Sequence, residues 1–206
     1  MGSNIKQAIM DTARLLFNER GYQNTSMRDI AAALRISVGN LTYHYKKKED
    51  LIEAIILEDH QRYQKPTSIC TLADFDLLLH KVAAQKKSRP YYYKYYVQLS
   101  QICPAIYEMQ ISVLQDLNDV LMKSFEEFLA NGILKREFSQ EYGKVADVIM
   151  ALIVHGLPNF HQARDGENDK AWIECVWSVI IPYLTARGQE EYQSLYTEKG
   201  SCEKQL

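Results

Sequence analysis

Apolar residues recur every three or four positions along most of this chain, the spacing that places them on one face of a helix. In the first part of the chain these stripes alternate with residues suited to helix ends. Gly21 can adopt the left-handed conformation that ends helices, while Ser26 (with Asp29 three residues on) and Ser37 can cap helix starts. The pattern therefore predicts four short helices, over residues 5–20, 27–34, 38–45 and 48–64.

The rest of the chain shows the same periodicity between prolines and glycines. Thr71 with Asp74 resembles a capping box, and Pro90 and Pro104 suit the first turns of helices. Gly188 is expected to follow the last long helix, and the polar residues after it are expected to fray. The predicted helices here span 72–87, 90–103, 104–130, 140–157 and 170–186.

Composition supports an all-α fold and excludes other classes. Nine glycines and five prolines in 206 residues are too few for the frequent turns of a β-sandwich or barrel. Four scattered cysteines indicate reduced thiols in a cytoplasmic protein rather than a disulfide framework. The longest apolar run, 145–154, is too short to cross a bilayer, and residues 1–19 lack a signal-peptide core, so no membrane partner is expected.

The charge is distributed unevenly along the chain. Residues 1–50 hold eight basic and five acidic side chains, whereas residues 51–206 hold sixteen and twenty-one. This asymmetry indicates a basic head on an acidic body. Three of the basic residues form the single run 46–48, which an ordinary solvated surface would also explain.

The second and third predicted helices have the layout of a helix-turn-helix. Only residues 35–37 join them. The side chains expected to face inward are Ile30, Ala31 and Leu34 from the first helix and Leu41 and Tyr45 from the second. The side chains expected to face outward from the second helix are Val38, Gly39, Asn40, Thr42, Tyr43 and His44. They are short, polar or aromatic, which suits a DNA major groove about 12 Å wide. The alternative is an ordinary helical hairpin with an incidental polar face.

The residues around this pair of helices resemble the DNA-binding head of the tetracycline-repressor (TetR) family. The shared features are Gly21-Tyr22, then Thr25-Ser26 followed by Ile30-Ala31, then Ser37 with Gly39 and Leu41, and finally Lys48-Glu49 with Leu51. Together these features are specific to the family, although each alone is weak. The resemblance covers about residues 5–57.

The resemblance implies a one-component switch. Each all-α subunit would have a helix-turn-helix DNA-binding domain over 1–48 and a helical effector-binding and dimerisation domain over 49–206. The homodimer would bind a palindromic double-stranded DNA operator, more often as a repressor than as an activator. A small-molecule effector of unidentified chemistry would release it, and neither a cofactor nor a metal is expected.

Two residues of this head are expected to read bases. Arg28, near the start of the second helix, would fork onto guanine O6 and N7; pairing with Asp29 or with a phosphate is the alternative. Asn40 would read adenine or rest on the phosphate backbone. Gly39 lowers helix propensity, which makes sense if the backbone there must approach DNA closely.

Other residues of the head are expected to contact phosphates, which position the protein without specifying sequence. Lys48 would meet a phosphate together with the free N–H groups of the fourth helix, unless it is simply solvated. Thr42 stands where the family commonly has tyrosine, and Val38 where it often has lysine. A phosphate contact is therefore expected to move to Tyr43, while Val38 would touch a thymine methyl group. His44 is expected to contact a phosphate as well, and as an imidazolium it would add a charge-assisted bond.

Fourteen tyrosines are unusually many, and six of them lie between residues 91 and 107. A helix here would align side chains able to line a pocket for an aromatic or cationic ligand, namely Tyr92, Tyr95, Tyr96, Leu99 and Cys103. Aromatic packing in a helical core is the alternative. His155, His161 and Asp165 leave a metal-assisted ligand site open, although their spacing is not that of a helical metal motif.

The two late helices are too apolar for an exposed surface. Packed against their two-fold mates they would form a four-helix dimer interface, with Val148, Leu152, Trp172, Val176, Trp177 and Ile180 as candidate contacts. Burial of these side chains within one subunit is the alternative.

Two other functional classes are alternatives to the regulator. An enzyme is not expected, because the sequence holds no nucleophile elbow, phosphate-binding glycine loop or zinc-binding helical motif. A protein-interaction module with a degenerate head is the stronger rival, supported only by Thr42 and Val38. Salt dependence separates it from the regulator, since phosphate contacts make binding fall steeply as salt rises.

Overall fold

The computed structural model describes residues 2–66, 69–156 and 167–202, and apart from one isolated β-bridge its regular elements are helical. The α-helices of this part of the chain are α1 (Gly2–Arg20), α2 (Met27–Ala33), α3 (Val38–His44), α4 (Lys48–Gln61), α5 (Leu72–Ser88), α6 (Pro90–Lys94), α7 (Tyr96–Ile102), α8 (Pro104–Ala130), α9 (Tyr142–His155), α10 (Glu167–Ile180) and α11 (Ala186–Cys202). This arrangement confirms the predicted all-α fold.

The chain divides into two compact units. The first comprises residues 1–64 and 88–113, and the second comprises 65–87 and 114–206. The first unit therefore includes α4, α6 and α7 as well as α1–α3, whereas the division predicted from sequence cuts the chain before residue 49. That functional division remains a prediction.

The local signals predicted for the first unit are present. Gly21 has a φ of 85° after α1, the left-handed conformation that few other residues adopt. At the start of α2 the Asp29 N–H donates to Ser26 Oγ at 3.2 Å, and the Ser26 N–H donates to Asp29 Oδ2 at 2.7 Å. At the start of α3 the Asn40 N–H donates to Ser37 Oγ at 3.1 Å. Both predicted caps are confirmed.

Helices α1–α4 share a core with α6, α7 and the start of α8. Among its fully or almost fully buried side chains are Ile9, Phe17, Ile30, Leu41, Leu51, Ile55, Tyr91, Leu99 and Ile106. The single helix predicted over 90–103 is divided at Tyr95, whose φ of −112° and ψ of 20° depart from helical values. The Leu99 N–H still donates to the Tyr95 carbonyl at 2.8 Å, so the interruption is local.

The second unit is built around large aromatic side chains from α5, α8 and α10. Those that are fully or almost fully buried are Phe75, Phe125, Phe128, Trp172 and Trp177. The predicted capping box of α5 is present, with the Asp74 N–H donating to Thr71 Oγ1 at 3.1 Å. Helix α9 begins at Tyr142, slightly later than predicted, because a 3₁₀ turn over Arg136–Glu141 precedes it.

The end of the second unit differs from the prediction. Helix α10 ends at Ile180 rather than 186, because Pro182, in the following 3₁₀ turn, supplies no N–H to continue it. Gly188 does not end a helix; it lies in the first turn of α11, which continues to Cys202 where fraying was expected. A Cβ at Gly188 would lie 2.4 Å from the Ile133 carbonyl oxygen, so close backbone approach is the physical reason for this glycine.

Two expectations from the sequence concern membrane-spanning helices and the state of the cysteines. Within the described residues, no helix combines the length and apolar character needed to cross a membrane. Among the described cysteines, Cys103 and Cys175 carry free thiols.

Candidate nucleic-acid interface

Helices α2 and α3 are held as a pair by buried apolar side chains and by a tight turn. Ile30 and Ala31 from α2 and Leu41 from α3 are completely buried. The turn contains Arg35 with a φ of 55°, and the Ile36 N–H closes it by donating to the Ala31 carbonyl at 3.0 Å. These three side chains confirm the predicted inward face and give α3 a rigid support, whereas Leu34 and Tyr45, also predicted to face inward, are only partly buried against the same core.

The predicted outward face of α3 is solvent-accessible. Tyr43 is 84% exposed and Val38 is 38% exposed. Gly39 and Asn40 are exposed as well, while His44 is half-buried, with its ring edge-to-face with Tyr43 at a centroid distance of 5.1 Å. The face therefore offers an amide, an aromatic hydroxyl, an imidazole and an apolar contact without rearrangement of the core.

Thr42 has a more restricted chemistry than its position suggests. Its Oγ1 donates to the carbonyl oxygens of Val38 at 3.0 Å and Gly39 at 3.2 Å. Such back-bonding occupies the only hydroxyl donor, so Thr42 retains only its acceptor lone pairs for any other contact.

Arg28 is exposed on α2. The carboxylate of its neighbour Asp29 accepts hydrogen bonds from the Ser26 hydroxyl at 2.6 Å and from the Ser26 N–H, which lower the pKa of Asp29. Because that carboxylate serves the helix cap, the alternative of an Arg28–Asp29 pair has no support. Within the described part of the chain Arg28 forms no ion pair, which leaves its guanidinium fork accessible.

Lys48 is half-buried at the start of α4 and forms hydrogen bonds within the protein. Its Nζ donates to the carbonyl oxygens of Tyr22 at 2.9 Å and of Thr25 at 3.0 Å. Both partners lie in the turn between α1 and α2, more than twenty residues earlier in the chain. Sequence reasoning missed this contact, since no spacing rule connects residues so far apart.

The tyrosine segment separates into buried and half-buried members. Tyr95, Leu99 and Cys103 belong to the core of the first unit, as the packing alternative stated. Tyr92 and Tyr96 are half-buried, with their rings edge-to-face at a centroid distance of 5.5 Å. Burial raises the pKa of Tyr96 to about 12 and raises that of Tyr92 further, so both hydroxyls stay protonated near neutrality.

The candidate interface residues also divide into two groups. Trp172, Val176, Trp177 and Ile180 are buried in the core of the second unit, which was the alternative to an interface. A side chain already buried within one unit presents no surface to a partner. Val148 on α9 is 48% exposed, and Leu152 is partly exposed.

The proposed metal-assisted site falls mostly outside the described residues, because His161 and Asp165 are not among them. Among the residues that the structure describes, no group of three or more histidine, cysteine, aspartate or glutamate side chains could hold a metal ion.

Comparison with known proteins identifies the head. Residues 9–55 match the family model described as "Bacterial regulatory proteins, tetR family". This segment of the chain is a TetR-family head. The TetR match spans α2 and α3 together with most of α1 and the first half of α4, so it covers the helix-turn-helix described above.

Proteins similar to this chain are named as transcriptional regulators. The probable regulator YttP of Bacillus subtilis is 34% identical over 65 residues, which are 32% of this chain and 31% of that protein. The chain thus spans about a third of the length of that relative. IcaR of Staphylococcus epidermidis, named as a negative transcriptional regulator of the icaADBC biofilm operon, is 27% identical, with 69% of this chain and 90% of IcaR covered.

Solved structures extend the TetR-family likeness of the fold to nearly the whole chain. A TetR-family regulator from Marinobacter aquaeolei aligns with a TM-score of 0.79 and 23% identity, covering 94% of this chain and 97% of that one. A regulator from Saccharomonospora viridis in complex with choline aligns with a TM-score of 0.65 and 17% identity, covering 88% and 98%. At these identities the likeness establishes the fold alone.

Proposed function

We propose that this protein is a ligand-responsive transcriptional regulator that binds a palindromic operator as a dimer, represses transcription, and is released by a small molecule. The observation that carries the proposal is the exposed face of α3 on a rigidly packed helix-turn-helix, within the segment that matches the TetR family. The negative regulator IcaR favours repression over activation. Relatives of this kind are regulators and not enzymes.

The first test is selection of binding sites from random duplex DNA by the purified protein at two stated salt concentrations. We expect a palindrome, whose half-site spacing reports the distance between the two α3 helices. Affinity should fall steeply with salt, as counterions are released at phosphate contacts. If folded, dimeric protein selects no sequence even when candidate ligands are present, the rival interaction module is favoured instead, with Val38 and Thr42 as its supporting features.

Arg28→Ala is expected to relax specificity at one or two operator positions. A guanidinium fork on guanine contributes about 1–3 kcal/mol of discrimination, so a preference of about 5- to 150-fold at those positions should be lost. Lys46→Ala, which removes an exposed positive charge nearby, is the matched control and should change all sequences alike. The measurement is repeated site selection, and an equal loss on all DNA from both variants would contradict base reading by Arg28.

For the dimer we propose the outer face of α9, alongside the exposed side of α10. On α9 this face presents Asp147, Val148 and Ala151 to solvent, and the small side chains of Ala171 and Ser178 are exposed on α10. Small residues let two helix pairs approach closely. Trp172, Val176, Trp177 and Ile180 would then support this face from within rather than contact the partner.

Val148→Asp is expected to raise the dimer dissociation constant by at least about 100-fold, because it places an unpaired charge in an apolar contact. The matched control is Leu77→Asp on α5, where the native side chain is 53% exposed and similarly large. Sedimentation velocity over a dilution series measures the dissociation constant, and circular dichroism checks that both variants are folded. Dissociation of both variants, or of neither, would refute the proposed face.

For the effector we propose a site at the half-buried rings of Tyr92 and Tyr96. The Gln110 side chain, which is almost completely buried, donates to the Tyr96 carbonyl at 3.2 Å and so adds a polar group beside these rings. Aromatic faces attract cations, and the similar structure from Saccharomonospora viridis contains choline, a quaternary ammonium. The operator recovered by selection is the probe for this step, with release of the bound duplex measured against aromatic and cationic compounds.

A further inference from the structure

The ammonium group of Lys48 uses two of its three N–H donors within the first unit. Beyond its bonds to the carbonyls of Tyr22 and Thr25, Nζ lies 4.3 Å from the centroid of the Tyr22 ring. An ammonium has three N–H donors, so two are taken by carbonyls while the charge faces an aromatic ring. Burial lowers the pKa of Lys48, in keeping with a group partly withdrawn from water.

The turn that receives Lys48 is closed on itself by other hydrogen bonds. Thr25 is almost completely buried, and its Oγ1 donates to the carbonyls of Gly21 at 3.0 Å and Leu16 at 3.3 Å. The Thr25 N–H reaches the Tyr22 carbonyl at a longer 3.4 Å. Lys48 therefore supplies the shortest bond to each of the two turn carbonyls, and it does so with a charged donor, which makes stronger hydrogen bonds than a neutral one.

The start of α4 is also a poor site for a phosphate. Its first turn contains Glu49 and Asp50, and Asp50 Oδ2 accepts the Lys47 N–H at 3.2 Å. A carboxylate thus already accepts the N–H of the residue before the helix, and the two negative charges of Glu49 and Asp50 repel a phosphate. For Lys48 to contact a phosphate, its bonds to the two turn carbonyls would have to break, and the phosphate would have to approach the carboxylates of Glu49 and Asp50.

We propose that Lys48 is a positioning residue for DNA binding: it ties the start of α4 to the turn between α1 and α2 and contacts no phosphate. The chain between Tyr22 and Lys48 contains both α2 and α3, so this link closes a loop around the helix-turn-helix. It sets where Arg28 and the face of α3 stand relative to each other. The effect on DNA binding rests on the proposed function, whereas the effect on the stability of the turn does not.

The test compares Lys48→Met, which keeps the stem without its donors, with Lys48→Arg and with Lys46→Met as the charge-matched control. Without DNA, Lys48→Met should lower Tm by about 2–6 °C and speed amide exchange across 21–26, while Lys46→Met should change neither. With DNA, Lys48→Met should bind about tenfold more weakly to every duplex, while the slope of log affinity against log salt stays as in the wild type. A lost phosphate contact would instead reduce that slope by about 0.9.

Lys48→Arg gives an independent readout, because arginine is an excellent phosphate ligand but its planar fork does not fit two turn carbonyls beneath a tyrosine ring. We expect Lys48→Arg to have a Tm and a DNA affinity close to those of Lys48→Met and below those of the wild type. Three outcomes would each overturn the proposal. They are a wild-type Tm and affinity in Lys48→Arg, a salt-dependence slope smaller by about one in Lys48→Met, and an unchanged Tm and amide exchange in Lys48→Met. Absence of DNA binding by the wild type would refute the proposed function while leaving the Tm and exchange results to decide whether the link exists.

Discussion

Trp177→Ala is expected to destabilise the second unit by about 3–5 kcal/mol, a large part of the stability of an ordinary domain. The indole is completely buried, edge-to-face with Phe75 at 5.2 Å and tilted against Tyr192 at 4.8 Å between ring centroids. Its Nε1 donates to Asp76 Oδ1 at 3.0 Å, and Asp76 is itself buried. The substitution therefore opens a cavity and removes a hydrogen bond from a buried carboxylate.

Two further variants separate these contributions. Trp177→Phe keeps most of the ring volume and loses the N–H donor, so it should cost less than the alanine variant. Leu77→Ala, at an exposed position on α5, should stay within about 0.5 kcal/mol of the wild type. Urea unfolding at one fixed protein concentration measures all three. A folded Trp177→Ala variant that merely dissociates into stable monomers would show that the indole serves an interface and not the core.

Arg14→Met is expected to destabilise the first unit by about 2–3 kcal/mol at neutral pH. Arg14 on α1 donates through Nη2 to Glu58 Oε2 and, at 3.0 Å, to Asp59 Oδ1, both on α4. Methionine fills similar volume but leaves two partly buried carboxylates without their shared partner. Breaking a fully buried ion pair typically costs about 3–5 kcal/mol. The expected cost is smaller here because about a fifth of the Arg14 side chain remains exposed to water, which weakens the ion pair.

The effect of Arg14→Met should depend on pH. The hydrogen bond from Arg14 holds the pKa of Glu58 below its usual range, despite the opposing effect of burial. A lowered folded-state pKa stabilises the protein above the unfolded pKa of glutamate, about 4.3, and that stabilisation is lost as the pH falls through the folded value. The stability difference between wild type and variant should therefore be fully present at pH 7 and narrow below about pH 4.

Arg62→Met is the matched control, because Arg62 also faces Glu58, at 3.9 Å, but its own side chain is 71% exposed. An exposed ion pair contributes about 0–1 kcal/mol, so this variant should change stability little at any pH. Urea unfolding at pH 7 and at about pH 3, below the lowered pKa of Glu58, provides the comparison. If Arg62→Met and Arg14→Met had equal effects, or the difference did not narrow at low pH, the Arg14 network would not be the source of the stabilisation.

Local chemistry in the sequence was enough to predict most helices and the surface of the head. Ser26, Ser37 and Gly21 end or begin helices as predicted, because capping bonds and a left-handed glycine depend only on residues a few positions apart. The outward face of α3 followed from helical periodicity, since the same spacing that buries Leu41 exposes Asn40 and Tyr43.

The sequence by itself determined the all-α class, the helix-turn-helix with its exposed face, and the resemblance to the TetR family, all of which depend on short-range spacing. Only the tertiary structure decided that Lys48 bonds to a distant turn, that Trp172 and Trp177 lie in a core, and that Gly188 admits the Ile133 carbonyl. The physical reason is that these roles depend on which segments meet in space. Periodicity identifies an apolar or basic side chain but cannot say which distant residue, or which subunit, will cover it.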